Sequence, residues 1–385
     1  MTSPLVSDDG PLGVLVAGAG VAGLETMVAL RGLARDAVAP TLVAPDDTFA
    51  LRALGVFEAF GHAPARRYEV SALARALDAG RRRDAVAAVD RERREIRLRS
   101  GSTVPYDVLV VAVGAVAYPA YDHGVLFDLA RNQRAVEALL RDVRAGRVDS
   151  VAVVVPRQSA WSLPAYELAF LLVGAARPAR EVAVTLVTAE PEPLAAFGPP
   201  AGEMVRAELD ASGIELVCGL SARVPSARIV ELPHGRPVRA GRIVHLPGMA
   251  GPRLSGLSSD PDGFIRVGAD LHVDDDPDVF AIGDGIAGPH KHGGLAALQA
   301  DAVAREIAGR VGAAVRPEPY RPALHAVLHT EHGPRYLLAD PRRGDGRCVV
   351  SGECLWWPPT KIASRWLTPW LAAHAAAASS AVDRR

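Results

Sequence analysis

The residues best spaced for chemistry lie near the N-terminus. Val14-Leu15-Val16-Ala17-Gly18-Ala19-Gly20-Val21-Ala22-Gly23-Leu24-Glu25 is a short apolar run that enters Gly-x-Gly-x-x-Gly and leaves in a helical pattern. Each glycine has its own task. Gly18 permits a tight turn, Gly20 lets a backbone approach a pyrophosphate, and Gly23 lets helix and strand pack closely. Val21 and Ala22 fall in the first helical turn, whose unpaired N–H groups attract phosphate. A second strand, Pro40 to Ala44, ends about 20 residues later, as a dinucleotide fingerprint requires. These residues predict a bound dinucleotide; their bland reading is a glycine-rich turn with no ligand.

Two later stretches bear on which dinucleotide. Val279-Phe280-Ala281-Ile282-Gly283-Asp284 is an apolar strand ending in Gly-Asp, and Lys291-His292-Gly293-Gly294-Leu295-Ala296-Ala297-Leu298-Gln299-Ala300 reads as a helix start. The pair resembles the second FAD motif of the two-dinucleotide-fold flavoproteins. That resemblance implies that Gly283 and Asp284 hold the ribityl and pyrophosphate region. It also implies that the helix, with Lys291, Gly294, Leu295 and Ala296 at its start, aims its positive end at the flavin pyrimidine ring. A reduced flavin is negative near N1, and a helix N-terminus stabilises an anion. Tyr106-Asp107-Val108-Leu109-Val110-Val111-Ala112-Val113-Gly114-Ala115 resembles the strand that leaves the FAD domain in the same proteins, placing Ala112 and Gly114 at the cofactor. Three ordered motifs favour FAD over NAD at the first site. The adenosine end departs from the pattern: Ala44-Pro45 replaces the acid expected after Thr41-Leu42-Val43, leaving Asp46 or Asp47 for the ribose. Arg52 stands in a region resembling a flavin-proximal loop, as a phosphate contact or as a surface residue.

A second β-α-β unit starts at Val151, and a pyridine-nucleotide flavoprotein carries another glycine fingerprint there. This chain has Pro156-Arg157-Gln158-Ser159-Ala160-Trp161-Ser162-Leu163-Pro164-Ala165-Tyr166-Glu167, with no glycine. Pro156 lacks an N–H, and the bulky loop leaves no room for a pyrophosphate. NAD(P)H is therefore not expected to bind in the usual way. Glu190 and Glu192, after the next strand, remain available to a ribose, and a rebuilt loop that admits NAD(P)H is the competing reading.

The chain resembles the sulfide:quinone oxidoreductase and type II NADH dehydrogenase group of FAD flavoproteins over roughly residues 12–372. The loop ending Pro164-Ala165-Tyr166-Glu167 is nearer the sulfide:quinone branch, which does not use NAD(P)H. In that branch a redox cysteine stands three residues before the proline; here the residue is Trp161, and neither Cys348 nor Cys354 matches the partner cysteine. The sulfur relay needs thiolate nucleophiles, so the chain is identified as an actinobacterial-type offshoot without the redox cysteines. The resemblance implies that Glu167 faces the flavin, where burial would raise its pKa and let it move protons. A solvated helix-start Glu is the other reading. Trp161 either covers the flavin face or fills the domain interface. Lys361 matches a lysine near the quinone side. His290 and His292 suit proton relays near pH 7 or exposed loop positions.

Composition bounds the rest. The 385 residues carry a formal net charge of −1, which gives no reason to expect nucleic acid, and 49% are apolar, enough for large cores. Met1 to Gly10 is not a signal peptide, and no run of 18 apolar residues predicts a spanning helix. Three cysteines suit a reducing cytosol rather than a disulfide framework, and no metal site is read. Of 43 basic residues only Lys291 and Lys361 are lysine. Four of the five tryptophans fall in Leu355–Leu371; the resemblance implies that this segment covers the flavin, lines a quinone pocket and rests on a membrane surface, and the bland reading is packing between domains or in a homodimer.

The elements that must position these residues read in order. They are β-α-β over 12–44, a charged antiparallel ribbon from Arg82 to Arg99, a strand at 108–113 and a helix over 132–145. A strand at 151–155, a helix from Tyr166 to Val173, a strand at 182–187, a helix from Gly202 to Ser212 and a strand from Ile214 to Cys218 follow. The expected fold is α/β, with two Rossmann-like (three-layer ββα) folds, the second inserted in the first. Residues 12–115 and 262–312 would form the FAD-binding domain and 116–261 the degenerate NAD(P)H-type domain. Residues 313–374 would cover the flavin, and 1–11 and 375–385 would be disordered. The functional expectation is a cytoplasmic FAD-dependent oxidoreductase, peripheral at the inner membrane face if the tryptophans touch lipid. It would move two electrons from an unknown small-molecule donor to a quinone-like acceptor. An NAD(P)H:acceptor oxidoreductase and a non-catalytic flavin-binding protein are the alternatives.

Overall fold

The computed structural model describes residues 10–51, 53, 55–60, 66–176, 181–340, 348–357 and 359–382. The chain opens with β1 (Leu12–Ala17), α1 (Val21–Leu33), β2 (Val38–Val43) and β3 (Gly80–Arg82). The charged ribbon follows as three antiparallel strands, Val86–Asp90, Glu95–Leu98 and Thr103–Pro105, and the chain returns through β4 (Val108–Val111). It then builds β5 (Val125–Leu126), α2 (Leu129–Arg144), β6 (Ser150–Val155), α3 (Leu163–Ala176) and β7 (Ala183–Thr188). Next come α4 (Pro199–Ala211), β8 (Glu215–Val217) and β9 (Arg242–His245). Strands β10 (His272–Val273) and β11 (Asp276–Ala281) precede α5 (Gly293–Arg310). The chain ends in β12 (Leu324–Thr330), β13 (Gly333–Ala339), β14 (Cys348–Ser351) and α6 (Leu367–Val382).

Two sheets organise these elements. The first has the order β10-β11-β4-β1-β2-β3, parallel except for the β10–β11 hairpin. The second has the order β5-β9-β6-β7-β8 and is parallel throughout. The fold is the expected α/β arrangement, in which the first sheet is opened after β4 and completed by β10 and β11. Strands β1, β4 and β6 are almost continuous Val, Leu and Ala because helices or loops cover both faces of a parallel sheet, and all of β4 is buried.

The C-terminal region ties the two halves together. Strands β12 to β14 form an antiparallel sheet that sequence reading does not anticipate. Leu324, Ala326 and Leu328 alternate inward from β12 into the core that holds α3, while His325 and His329 fall on the opposite register. Helix α6 packs instead on the first half, with Leu367 and Leu371 in the core around β1 and α1. Its N-terminus is held by Glu25, a buried carboxylate that accepts hydrogen bonds from the N–H groups of Trp366 at 2.9 Å and Leu367 at 2.6 Å. Burial pushes the Glu25 carboxyl above its usual range against the pull of those two bonds. The helix continues to Val382. The expected mobile leader lies outside the described residues up to position 9. Among the described residues no helix is long and apolar enough to cross a membrane.

Candidate active site

The first fingerprint forms the crossing between β1 and α1. Gly18 has φ +119°, and a Cβ there would stand 2.1 Å from the Ala112 carbonyl oxygen; at Gly23 it would stand 1.9 Å from the Gly18 carbonyl. Any side chain would push the crossing apart. Gly20 is different. It is extended, caps α1 without any side chain, and a Cβ there would meet nothing within 4 Å. The turn is thus closed on its protein side and open on the other. No acid in the first turn competes for the N–H groups that follow, which include those of Val21 and Ala22.

The other two motifs come to the same edge. Ala112 donates to the Ala17 carbonyl at 2.7 Å and Ile282 to the Val111 carbonyl at 2.9 Å, so β1, β4 and β11 end side by side. At Gly283, with φ +76°, a Cβ would stand 3.0 Å from the Ala22 Cβ, and at Gly285 it would stand 3.0 Å from the Gly114 carbonyl oxygen. The Gly283 N–H donates to Gln299 Oε1 of α5 at 2.7 Å. Gly18 and Ala112, Gly283 and Ala22, and Gly285 and Gly114 therefore meet in pairs at the ends of β1, β4 and β11, the edge at which doubly wound sheets bind ligands.

Lys291, expected at the cofactor, is buried. Its ammonium donates to the Ile286 carbonyl and sits 4.0 Å from the centre of the Phe264 ring. Desolvation lowers its pKa, against the charges of Asp284 and Asp260. It braces the loop entering α5. His292 caps that helix, with its ring lying across Gly294, where a Cβ would come within 2.7 Å. Gly294, Leu295 and Ala296 are buried in the first turn. His292 is also buried. Desolvation, aided by His325 and His290, depresses its pKa to about 3, and its Nδ1 has no hydrogen-bond partner among the described residues. The expected relay near pH 7 does not hold for His292, because a ring held neutral at that pH takes up no proton. His290 is shifted the same way by burial and by Lys291.

Residues of the second half close this end. Trp161 packs 4.4 Å from the His292 ring and 5.8 Å from Phe197. Ile362 covers Gly293 so closely that a Cβ there would lie 3.0 Å from its Cδ1. Next to it, the Lys361 ammonium reaches Glu167 of α3, with 2.5 Å to Oε1 and a second contact to Oε2. Both side chains are hidden, at 1% exposure for Glu167 and 10% for Lys361. The solvated reading of Glu167 is thereby corrected, since the apolar face of α3 carries the carboxylate inward. Lys361 is pushed below the usual lysine range by desolvation, with the Glu167 charge opposing. His329, which sequence reading missed, brings its backbone N–H and its Nδ1 each to 3.2 Å from Glu167 Oε1. Its side chain is 39% exposed, so it links the buried pair to solvent.

Just past the glycine-free loop, α3 is tied inward. Tyr166, fully buried, donates to Glu190 Oε2 at 2.9 Å, and Thr188 donates to the same oxygen at 3.2 Å. Burial raises the Glu190 carboxyl pKa. Glu192 is an exposed partner of Arg206 at 2.6 Å.

Other expectations are not met at this site. The tryptophans around Lys361 do not form one cluster. Trp356 stands edge-on to His325 and Tyr336, Trp366 donates to Asp301 at 2.7 Å and rests on Gly32, Trp370 stacks on His374, and Trp357 is 89% exposed. At the adenosine end, Asp46 is exposed, and its carbonyl rather than its carboxylate is engaged, by Arg81 at 2.7 Å. Arg52 lies outside the described residues. The three cysteines are free and half-buried. Among the described residues no group of three or more His, Cys, Asp or Glu is placed to hold a metal ion.

The profile of the family described as pyridine nucleotide-disulphide oxidoreductase matches residues 12–300. The chain belongs to this family. Its members are FAD-dependent oxidoreductases. Sulfide:quinone oxidoreductase from the hyperthermophilic bacterium Aquifex aeolicus superposes with a TM-score of 0.80 at 18% identity, covering 88% of this chain and 86% of that one. The reduced CoADR-RHD of Bacillus anthracis gives 0.66 at 16% identity, covering 86% and 62%. A NAD-dependent persulfide reductase from A. fulgidus gives 0.65 at 18% identity, covering 85% and 64%. At such identities the likeness is one of fold. No curated protein sequence matches the chain.

Proposed function

We propose that this chain holds FAD non-covalently in the crevice at the ends of β1, β4 and β11, and that it moves two electrons to a quinone-like acceptor without using NAD(P)H. The observation that carries the reading is the convergence of three separated motifs on one open-sided turn, where Gly20 faces space and its neighbours do not. The residues fit the group. The first turn of α1 offers N–H donors to a pyrophosphate, and Asp284, just after β11, would hold the ribityl chain. The N-terminus of α5 offers positive potential to a ring that becomes negative on reduction. Unsatisfied donor or acceptor atoms at His292 Nδ1 and Arg81 Nη1 mark both ends as places for a polar ligand. When bound, FAD supplies two-electron transfer.

The chain's own residues supply the surroundings. Trp161 and Ile362 exclude water at the α5 end. Glu167 holds the Lys361 ammonium in a buried pair, and the half-exposed His329 reaches from solvent to Glu167 Oε1. Lys361 adds positive charge on the side where an acceptor gains electrons. The absence of an NAD(P)H role is supported by the glycine-free loop from Pro156 to Pro164 and by Tyr166, which is buried and engages the Glu190 carboxylate that a ribose would otherwise use. Trp161 in place of a redox cysteine supports a route without a sulfur relay.

Purified protein is expected to be yellow and to release FAD on denaturation. Anaerobic mixing with NADH or NADPH is expected to bleach the flavin slowly. Colourless protein that takes up no FAD would refute the cofactor reading. Rapid, saturable bleaching by micromolar NADH would refute the second claim and favour the NAD(P)H:acceptor alternative.

A further inference from the structure

Dinucleotide folds hold the adenosine ribose with an acid at the end of the second strand, which accepts from the ribose hydroxyls. In this chain that residue is Ala44, buried and without a polar side chain. The acids that follow do not replace it simply. Asp47 bridges to Arg83 and lies 3.9 Å from Arg81, and it is 56% exposed. Asp46 is engaged through its carbonyl.

Arg81 is different. It lies on β3, in register with Leu42 of β2, one strand over from the missing acid. Its side chain is 14% exposed. Nη2 is fixed on the Asp46 carbonyl, which aims the guanidinium at the strand ends, and Nη1 is buried with no partner among the described residues. A buried N–H of a cation without an acceptor is costly. An acceptor supplied by a ligand would remove that cost.

We infer that Arg81 takes over the ribose contact of the first fingerprint, donating from Nη1 to an adenosine oxygen where other folds accept with a carboxylate. The hydrogen bond is reversed: the protein gives the proton and the ribose oxygen receives it. This inference rests on the FAD reading above, and it makes the adenosine half of the cofactor depend on a cation. A guanidinium also pairs well with phosphate, so a 2′-phosphorylated nucleotide is the competing ligand.

The test uses the full chain freed of cofactor, with folding checked by circular dichroism. FAD, FMN, ADP and 2′,5′-ADP are titrated into the wild type, Arg81→Met and Arg81→Lys. The expected result is a loss of about tenfold in FAD and ADP affinity for Arg81→Met, unchanged FMN affinity, and partial recovery in Arg81→Lys. FMN lacks the adenosine, so a change confined to FAD and ADP is not explained by a damaged fold. Unchanged FAD and ADP affinity in Arg81→Met would overturn the inference, as would an equal loss for FMN. A wild-type preference for 2′,5′-ADP over ADP above tenfold would overturn it as well, marking Arg81 as a phosphate site. Wild-type protein that binds ADP but no FAD would refute the FAD reading while leaving the ADP comparison to decide the role of Arg81.

Discussion

A neutral histidine capping α5 makes the fold sensitive to acid in a way that can be calculated. The His292 pKa is about 3 in the folded chain against 6.5 when unfolded, because burial disfavours the charged ring. Above pH 6.5 both states are neutral and the contribution to stability is complete. As pH falls through 6.5 the unfolded chain takes up a proton that the folded chain refuses, so stability is lost between pH 6.5 and about 3. Each pH unit in that window is worth about 1.4 kcal/mol, so the drop from pH 7 to pH 5 is about 2 kcal/mol for this residue. His325 and His290 are shifted in the same direction and add to the wild-type slope. The test therefore compares His292→Asn, a non-titrating polar residue at the N-cap position of α5, with the wild type. Urea denaturation at pH 7 and pH 5 should give the wild type a loss about 2 kcal/mol larger than that of the variant. Any cavity left by the substitution costs the same at both pH values and cancels. Equal losses in the two proteins would show that His292 is solvated or hydrogen-bonded in the fold, and would refute burial as the control on its charge.

Three further outcomes are expected. Lys361→Met removes the cation from the buried Glu167 carboxylate and leaves it only the 3.2 Å contacts of His329, so it should destabilise the protein by about 3 kcal/mol. The double variant Glu167→Gln/Lys361→Met should recover most of that in denaturant titrations while slowing reoxidation by a quinone in stopped flow; full-speed reoxidation would place the acceptor elsewhere. Replacing Cys218, Cys348 and Cys354 together by Ser should leave flavin content and reduction by the donor intact, since the Cys348 thiol is pushed up by burial; loss of reduction with FAD retained would restore a thiol mechanism. Glu25→Gln keeps the shape but offers one acceptor oxygen and a clashing NH₂ to two N–H groups. It should cost about 1–3 kcal/mol and open α6 to chymotrypsin at Leu367, Trp370 and Leu371, and an unchanged digestion pattern would show that the helix is held by its apolar face alone.

The parts legible in the sequence are those with local causes. The turn at Gly18 to Gly23 and the run Val108 to Val111 carry their reasons within a few residues, and both stand where expected. The start of α5 and the crossover to a second parallel sheet are readable in the same way. What was not legible depends on pairing across the chain. Glu167 and Lys361 are 194 residues apart, and nothing in either neighbourhood announces the other. His329 sits on a strand whose antiparallel partner is set by the turn after Thr330, so its approach to Glu167 is a consequence of tertiary register. The tryptophans near the C-terminus looked like one aromatic cluster because they are close in sequence. Glu25 and Asp301 separate Trp366 from the others by anchoring it to the first half.

The second half of the chain shows which of its surfaces the fold has kept. Its parallel sheet and α3 remain, and Tyr166 is drawn into the core, where it donates to Glu190. The face toward α5 is open to function. From it come Trp161, against His292, and Glu167, against Lys361. The two residues are six positions apart, on the loop and first turns of one helix, so a single crossing that no longer has room for a pyrophosphate can still deliver two side chains to the neighbouring crevice. Loss of the fingerprint and retention of the fold are then consistent. Burying the Tyr166 ring on Glu190 stabilises α3, and a rigid α3 is what holds Glu167 in place. On this reasoning Tyr166→Gly should loosen the Glu167–Lys361 pair without creating an NAD(P)H site, because the loop from Pro156 to Pro164 would still lack the glycines that let a backbone reach the phosphates.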